Sequence, residues 1–377
     1  LHALDLLSGD ARAFLTTAWA SHVHIHKADP DDVIGLLSLD DVDRLLTSSA
    51  LRTPALRIAK DGAVLPSSAY TRSATIAGAP LSGLVDARKV VDLLDGGATL
   101  VLQGLHRYWE PLTQLVRDLE LALGHPCQAN AYLTPPGSQG FALHSDTHDV
   151  FVFQTHGAKQ WEVKDDGEQL DVLMEPGTSM YLPTGTPHAA RTQDTASLHV
   201  TVGINQSTWR QLLQRAANDV LADEAYDDRL PVGYPDDPTT LASELADRVC
   251  ALAESISKLD VNALAGQEAR RFLTTRNAVL RGSLVDSLHV SELDDNTIAV
   301  RRPGAVCVVR PAPGDDHVLL LLGDRVLRLP VRLTEVLGFI REQPRLRPRD
   351  LSDWLDPQSR LVLVRRLVRE GLLRVSA

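Results

Sequence analysis

The chain is short of sulfur and of aromatic rings: 3 Cys, 2 Met and 5% Phe, Trp and Tyr in 377 residues. Cys127, Cys250 and Cys307 are widely spaced and odd in number. They exclude a disulfide framework and a thiolate metal centre, and they point to a reducing cytoplasm. No base accompanies Cys127 in the sequence, so a thiol nucleophile is not expected. No apolar run reaches the ~20 residues of a membrane span, and no signal peptide opens the chain. Lysine is scarce, six of the 38 basic residues. The formal net charge of −11 argues against general nucleic-acid binding. The charge is uneven, however: Arg341 to Ala377 holds nine Arg against five Asp and Glu. Internal repeats and low-complexity tracts are also missing.

What is present is an ordinary globular balance, 44% hydrophobic and 23% charged, in a chain long enough for two or three domains. Residues 1–60 read as mainly helical. Asp10–Trp19 has apolar residues at helical spacing, and Ser38–Leu46 opens on an N-cap followed by carboxylates. His22, His24 and His26 alternate, so an extended segment would put them on one face, where they could hold a metal or simply stay half-solvated. Strands are expected at Ala55–Ala59 and Ala63–Leu65, a buried strand at Ala98–Gln103, and helices at Asp86–Asp95 and Tyr108–Leu123, the last stopped by Gly124. The period then changes to two. Ala129–Leu133, Val150–Gln154, Lys159–Val163, Ser179–Leu182 and Leu198–Val202 read as short strands, the second and third forming a hairpin about His156–Gly157. Such strands with Gly/Pro turns predict a closed β-barrel or sandwich. Helices follow at Thr208–Leu221, Thr240–Ser257 and Val261–Leu273. Residues 298–377 mix strands with helices at Thr334–Gln343, Arg349–Trp354 and Gln358–Glu370, in the order of a winged helix-turn-helix.

The candidate chemistry lies between Asn130 and Thr201. His144 and Asp146, two apart on a strand, share one face. His188 follows on the turn Pro183-Thr-Gly-Thr-Pro-His. Two imidazoles and one carboxylate are the donor set of a non-haem Fe(II) oxygenase, with positions left open for a chelating cosubstrate and O2. Asn130 and Tyr132 share a face by the same alternation. Lys159 starts the strand after Gly157, where a buried ammonium would need an anion. His148, His156 and His199 lie nearby and are expected to be structural.

The run Asn130-x-Tyr132, Thr134-Pro-Pro-Gly-Ser-Gln-Gly140, His144-x-Asp146, His148-Asp-Val-Phe151, Gln154, Gly157 and Trp161 resembles the JmjC/cupin-type ribosomal oxygenases. Trp19, Leu36–Asp41 and Leu230–Tyr234 look like that family's flanking segments. The resemblance implies an α+β chain: residues 1–205 a double-stranded β-helix (jelly-roll) catalytic domain, 206–285 a helical dimerisation region, 286–377 a winged-helix domain. It implies an Fe(II)- and 2-oxoglutarate-dependent hydroxylase of a His or Arg side chain in a ribosomal protein, releasing succinate and CO2. His144, Asp146 and His188 would bind iron, Lys159 the distal carboxylate of 2-oxoglutarate, and Asn130, Tyr132 and Thr201 would line the cosubstrate pocket. A cytoplasmic homodimer is implied, without membrane or nucleic-acid partners. Two other readings stay open. One is the same chemistry on a ribosomally made peptide natural product, with the winged helix holding a leader peptide. The other is a DNA-binding regulator with a sensory cupin.

Overall fold

The computed structural model describes residues 3–138, 142–312, 314 and 316–376. Part of the expected Thr134–Gly140 turn, and Phe141 after it, lie outside the described residues. The chain divides into two compact units, Leu1–Gln206 and Ser207–Ala377.

The first unit opens with α1 (Ala3–Ser8), α2 (Ala11–Thr17), β1 (His24–Lys27), α3 (Pro30–Ile34) and α4 (Leu39–Ser48). The Ser38 N-cap forms the expected reciprocal box, with its side chain taking Asp41 N–H while the Asp41 carboxylate takes Ser38 N–H. There follow β2 (Leu56–Lys60), β3 (Ala63–Val64), β4 (Thr71–Ile76), β5 (Ala79–Val85), α5 (Ala87–Asp95), β6 (Thr99–Leu102) and α6 (Glu110–Leu123), closed by left-handed Gly124. The remaining strands are β7 (Cys127–Thr134), β8 (Asp149–His156), β9 (Lys159–Asp165), β10 (Glu168–Met174), β11 (Thr178–Leu182), β12 (His188–Thr192) and β13 (Ser197–Ile204).

Eight of these strands form one sheet in the order β1-β11-β8-β13-β7-β6-β2-β3, and β10-β9-β12 form a second. The expected β8–β9 hairpin is therefore corrected: β8 pairs with β11 and β13, while β9 pairs with β10 and β12. The His156–Gly157 turn carries the chain from one sheet to the other. Its glycine is required, because a Cβ there would lie 1.9 Å from the Ala196 carbonyl oxygen at φ +62°.

Strand alternation then fixes two faces on the large sheet. Phe151, Phe153, Val200, Val202, Ala129, Leu100 and Ile58 join the helices in one core. Val150 and Val152 face the other way and pack with Trp161, Val163, Val172 and Met174 of the small sheet. β8 is thus buried on both faces, which is why it reads as a nearly unbroken apolar run. The interior between the sheets holds the candidate site.

The second unit contains α7 (Trp209–Leu221), α8 (Pro238–Ser257), α9 (Val261–Thr274), α10 (Ser283–His289), β14 (Ala299–Arg301), β15 (Val308–Pro311), β16 (His317–Leu321), β17 (Val326–Pro330), α11 (Thr334–Glu342), β18 (Arg345–Leu346), α12 (Pro357–Arg369) and β19 (Leu373–Val375). Its two sheets are β18-β14-β19 and β15-β16-β17. The expected helix at Arg349–Trp354 is only a 3-10 turn over Pro348–Leu351, started by a proline that supplies no N–H. Three arginines of the basic stretch are tied down within the unit: Arg360 on Asp295, Arg365 on the Ser291 and Leu293 carbonyls, Arg366 on Glu370. No helix among the described residues is long and apolar enough to cross a membrane.

Candidate metal centre and pocket

His144 and Asp146 are not on a regular strand, contrary to the alternation argument. His144 makes an isolated bridge with His188, and Asp146 lies in the irregular segment before β8. The two ligand-bearing segments are instead stitched together by backbone. His144 N–H donates to the His188 carbonyl at 3.1 Å and His188 N–H returns to His144 at 2.8 Å. Gly185 N–H donates to the Asp146 carbonyl at 2.9 Å. Behind them the buried Asp149 carboxylate accepts from Thr184 N–H at 2.7 Å, Thr184 Oγ1 at 2.6 Å and the Tyr181 hydroxyl.

This places one donor atom from each of His144, Asp146 and His188 within 4.8 Å of the others. His144 Nδ1 lies 2.9 Å from the Ala142 carbonyl and His188 Nδ1 2.9 Å from the Thr186 carbonyl. A carbonyl only accepts, so each Nδ1 carries the hydrogen and each Nε2 is turned to the cluster. The Nε2 atoms stand 4.0 and 3.8 Å from the Asp146 oxygens. Burial, and secondarily His144, lower the His188 pKa, which favours the neutral, ligating imidazole. The donor set fits a divalent metal with open positions.

The cluster sits at the mouth of a cavity of 260 Å³. Of the other sequence-predicted residues, Tyr132, Lys159 and Thr201 line it and Asn130 does not. Asn130 Oδ1 instead accepts from Gly104 N–H at 3.0 Å. Lys159 is 3% exposed, and its ammonium donates to Thr134 Oγ1 at 3.2 Å. It makes no ion pair among the described residues, and burial lowers its pKa to about 8. Next to it His199 is held well below the ordinary imidazole pKa, by burial first and by the Lys159 charge second. Its ring stacks on Tyr132 at 4.9 Å and meets Trp161 edge-on at 5.5 Å. His199 Nδ1 and Trp161 Nε1 are buried polar atoms without a hydrogen-bond partner. A cavity with an ammonium lacking a counter-ion and two unsatisfied polar atoms is built for a polar, anionic guest.

Arg57, Thr99, Trp161 and His199 complete the polar lining, and their roles were missed from the sequence. The signal was there: Arg57, Thr99 and His199 each alternate with residues of the helix-side core, and Trp161 alternates with the less buried Gln160 and Glu162. The three N-terminal histidines do not gather. His24 Nε2 bonds the Ser8 carbonyl at 2.9 Å and His26 packs over Gly9. His22 alone stands by Asp165 and Asp166, exposed. His148 packs over Gly203, and His156 is exposed.

A two-sheet barrel with a His/Asp/His cluster at its mouth defines a JmjC/cupin-type barrel. The JmjC domain model matches residues 106–171 and 164–212. The bifunctional lysine-specific demethylase and histidyl-hydroxylase NO66 of Branchiostoma floridae is 39% identical over 129 residues, 33% of this chain and 21% of that protein. Ribosomal oxygenase 1 of Danio rerio is 28% identical over 252 residues, 59% of this chain and 45% of that protein. The chain thus spans less than half the length of these curated relatives. The crystal structure of the Escherichia coli ribosomal oxygenase YcfD superposes with a TM-score of 0.54 at 18% identity, over 97% of this chain and 98% of that one. Another structure of YcfD, in complex with cobalt and 2-oxoglutarate, has a TM-score of 0.54 at 17% identity over the same shares. Residues 106–212 thus match the JmjC domain family, and the chain shares the fold of YcfD.

Proposed function

We propose that this chain is an Fe(II)- and 2-oxoglutarate-dependent oxygenase that hydroxylates an amino-acid side chain of a ribosomal protein. The observation that carries the reading is the pairing of a His144/Asp146/His188 donor set with the buried, counter-ion-free Lys159 in one cavity. Lys159 takes the distal carboxylate of the cosubstrate, and the two charges neutralise each other where water is excluded. Thr134 holds the ammonium in place through its hydroxyl. Tyr132 and Thr201 offer hydroxyls along the same wall, and Asn130 acts from behind it, fixing Gly104. His144, Asp146 and His188 would hold the metal, the Nε2 atoms of the two histidines aimed by the Ala142 and Thr186 carbonyls. Iron held there would supply, with 2-oxoglutarate and O2, oxidative decarboxylation to succinate and CO2 coupled to hydroxylation of a C–H bond, one atom of O2 going to succinate and the other to the substrate.

The relatives' names favour a ribosomal protein as substrate and, in one of them, a histidyl target; the resemblance adds an arginyl side chain as the other candidate. The same reading takes residues 206–285 as a dimerisation region, supported by α8 and α9, which bury no residue and expose Leu245, Val249 and Val261. Residues 286–377 are taken as a winged helix, supported by α10, α11 and α12 around the β18-β14-β19 sheet, and the enzyme as cytoplasmic. Intact-mass spectrometry of ribosomal proteins with and without the gene tests the substrate: one protein lighter by one oxygen atom in the deletion strain is expected. No difference in any ribosomal protein removes them as substrates.

A further inference from the structure

The second unit carries two surface features that its own packing leaves unmatched. The first is a groove of 470 Å³ lined by the end of β17, the turn after it and α12. Its floor is apolar: Leu329, Leu333 and Leu355 pack against the core of the unit, and Leu363 is buried. Its wall is Trp354, exposed but fixed, with its ring 5.2 Å from Phe339 and its indole N–H donating to Glu335 at 3.2 Å. Aromatic surface left open beside an apolar floor and rimmed by polar groups marks an interaction site. Two arginines, Arg332 and Arg366, line the groove. Arg366 pairs with Glu370, and Arg332 has no side-chain partner among the described residues. The one carboxylate among the lining residues, Asp356, is committed to the N-terminus of α12, where it accepts from Gln358 N–H, Ser359 N–H and the Ser359 hydroxyl. The groove is therefore apolar inside and positive at its rim, on a chain whose net charge is −11.

The second feature is segment 223–237, between α7 and α8. It holds six Asp and Glu against one Arg. Between its acidic ends stand Leu230, Val232 and Tyr234, all exposed, Leu230 by 61% and Val232 by 100%. Three of the carboxylates are committed within the unit: Asp223 accepts from Ala225 N–H, Asp228 pairs with Arg248, and Asp237 caps α8. Glu224, Asp227 and Asp236 have no side-chain partner among the described residues. The backbone is tied as well, since Asp236 N–H and Asp237 N–H both reach the Gly233 carbonyl, at 3.0 and 3.1 Å. Three apolar side chains in water with free carboxylates around them complement the groove in polarity and in charge. Within one chain the two do not meet, because Val232 is fully exposed and the groove is open.

We propose that segment 223–237 of one copy docks in the β17–α12 groove of a second copy. Leu230, Val232 and Tyr234 cover the leucine floor beside Trp354, and the free carboxylates face Arg332 and Arg366. A second copy is the occupant because the chain itself carries a segment of matching chemistry. Exchange in both directions gives a closed twofold pair that makes the contact twice. The contact rests on the dimerisation reading of residues 206–285, brings the C-terminal groove into it, and does not depend on the oxygenase chemistry.

The test uses the full chain with Val232→benzoylphenylalanine, a photoreactive side chain at a position where no packing is disturbed. After irradiation the main product should run at twice the chain mass on a denaturing gel. Its digest should join position 232 to residues 329–333 or 354–366 by mass spectrometry. Arg332→Glu and Leu230→Asp, both at exposed positions, should each lower the yield about fivefold, the first most strongly at low salt. A product at single-chain mass, attachment outside the groove, or yields unchanged in both variants overturns the inference. Light scattering on the same sample before irradiation separates the two readings. A dimer without groove cross-links sinks the docking and leaves dimerisation standing, whereas a monomer sinks both.

Discussion

The mouth and the floor of the cavity are built differently. The mouth carries His144 and Asp146 on an irregular segment, 43% and 32% exposed in their side chains, joined to the His188 turn by backbone hydrogen bonds. The floor carries Lys159, Thr134 and His199 on regular strands, each under 5% exposed. Donor atoms at the mouth stay accessible to an ion and to whatever the ion binds. Groups on the floor are dry, so their charges act with little screening and a polar atom left unpaired there is costly. On the proposed reading, one barrel separates a site for exchange with solvent from a site for recognition of one anion.

The sharpest break between the two is expected from the mouth. His144→Ala or Asp146→Ala removes one of three protein donors. Turnover should fall by about a thousandfold or more, with metal affinity falling as well. Turnover and metal titrations read this directly, and a variant with wild-type turnover would remove the residue from the donor set.

The floor should separate from the mouth in the next variant. Lys159→Ala is expected to weaken 2-oxoglutarate binding by roughly 10–100-fold, the worth of a charge-assisted hydrogen bond. Metal affinity should stay near wild type. Calorimetry with Mn(II) checks both, and an unchanged requirement for 2-oxoglutarate would take Lys159 out of the pocket.

A smaller and graded effect follows from pH. Lys159 has a folded pKa of about 8 against 10.5 when unperturbed. Its folded value is depressed, so between these two values the unfolded chain binds more protons than the empty native one. Stability of the empty protein from this group should therefore rise with pH across that window, by up to about 3 kcal/mol. Cosubstrate binding needs the ammonium and should run the opposite way, weakening by about tenfold per pH unit above 8. Thermal unfolding and 2-oxoglutarate titrations across pH 7–10 measure the two slopes. In Lys159→Ala both slopes should flatten, and a profile that keeps them assigns the titration to another group.

The same contrast explains what was legible in the sequence. Floor residues sit on strands, and a period of two sorts their faces without knowledge of the fold: it gives Tyr132 its face, while the pocket position of Tyr132 and Thr201 is what the resemblance implies, and both line the cavity. Arg57 and His199 obey it too, but one sits in a short early strand and the other is one of three nearby histidines, so neither stands out. Alternation failed for Asn130. It shares the Tyr132 face, yet its carbonyl oxygen is taken by Gly104 N–H, a contact 26 residues away that spacing does not encode. At the mouth the donor types were readable and the geometry was not. His144 and Asp146 converge through the His188 bridge, a long-range pairing, and not through a shared strand face. The β8–β9 error has a like cause. Adjacent strands with a tight Gly turn look like a hairpin, and only the packing of Phe151 and Phe153 on the helices commits β8 to the large sheet. Helix boundaries were the most legible, because the caps at Ser38, Thr208 and Gly124 are local chemistry.

The smallest expected effect lies between mouth and floor, at Asp149. This carboxylate is 2% exposed and, among the described residues, its hydrogen-bond donors are Tyr181 and Thr184. It holds Thr184 through backbone and hydroxyl, and the next residue, Gly185, holds Asp146. Tyr181 and Thr184 donate to it from opposite sides, so its two oxygens fix the turn that delivers His188 three residues before that ligand. Asp149→Asn keeps the shape but replaces one acceptor by a donor, which cannot serve both Thr184 and Tyr181. The strands should survive, and the two ligand segments should loosen. Metal affinity is expected to fall by roughly tenfold, in the range for residues that orient ligands without binding the ion, while 2-oxoglutarate affinity at saturating metal changes little. The visible spectrum of the Co(II)-loaded protein reports donor geometry independently of turnover. An Asp149→Asn spectrum and Co(II) affinity equal to wild type would mean that the His144–His188 backbone bridge alone sets the mouth.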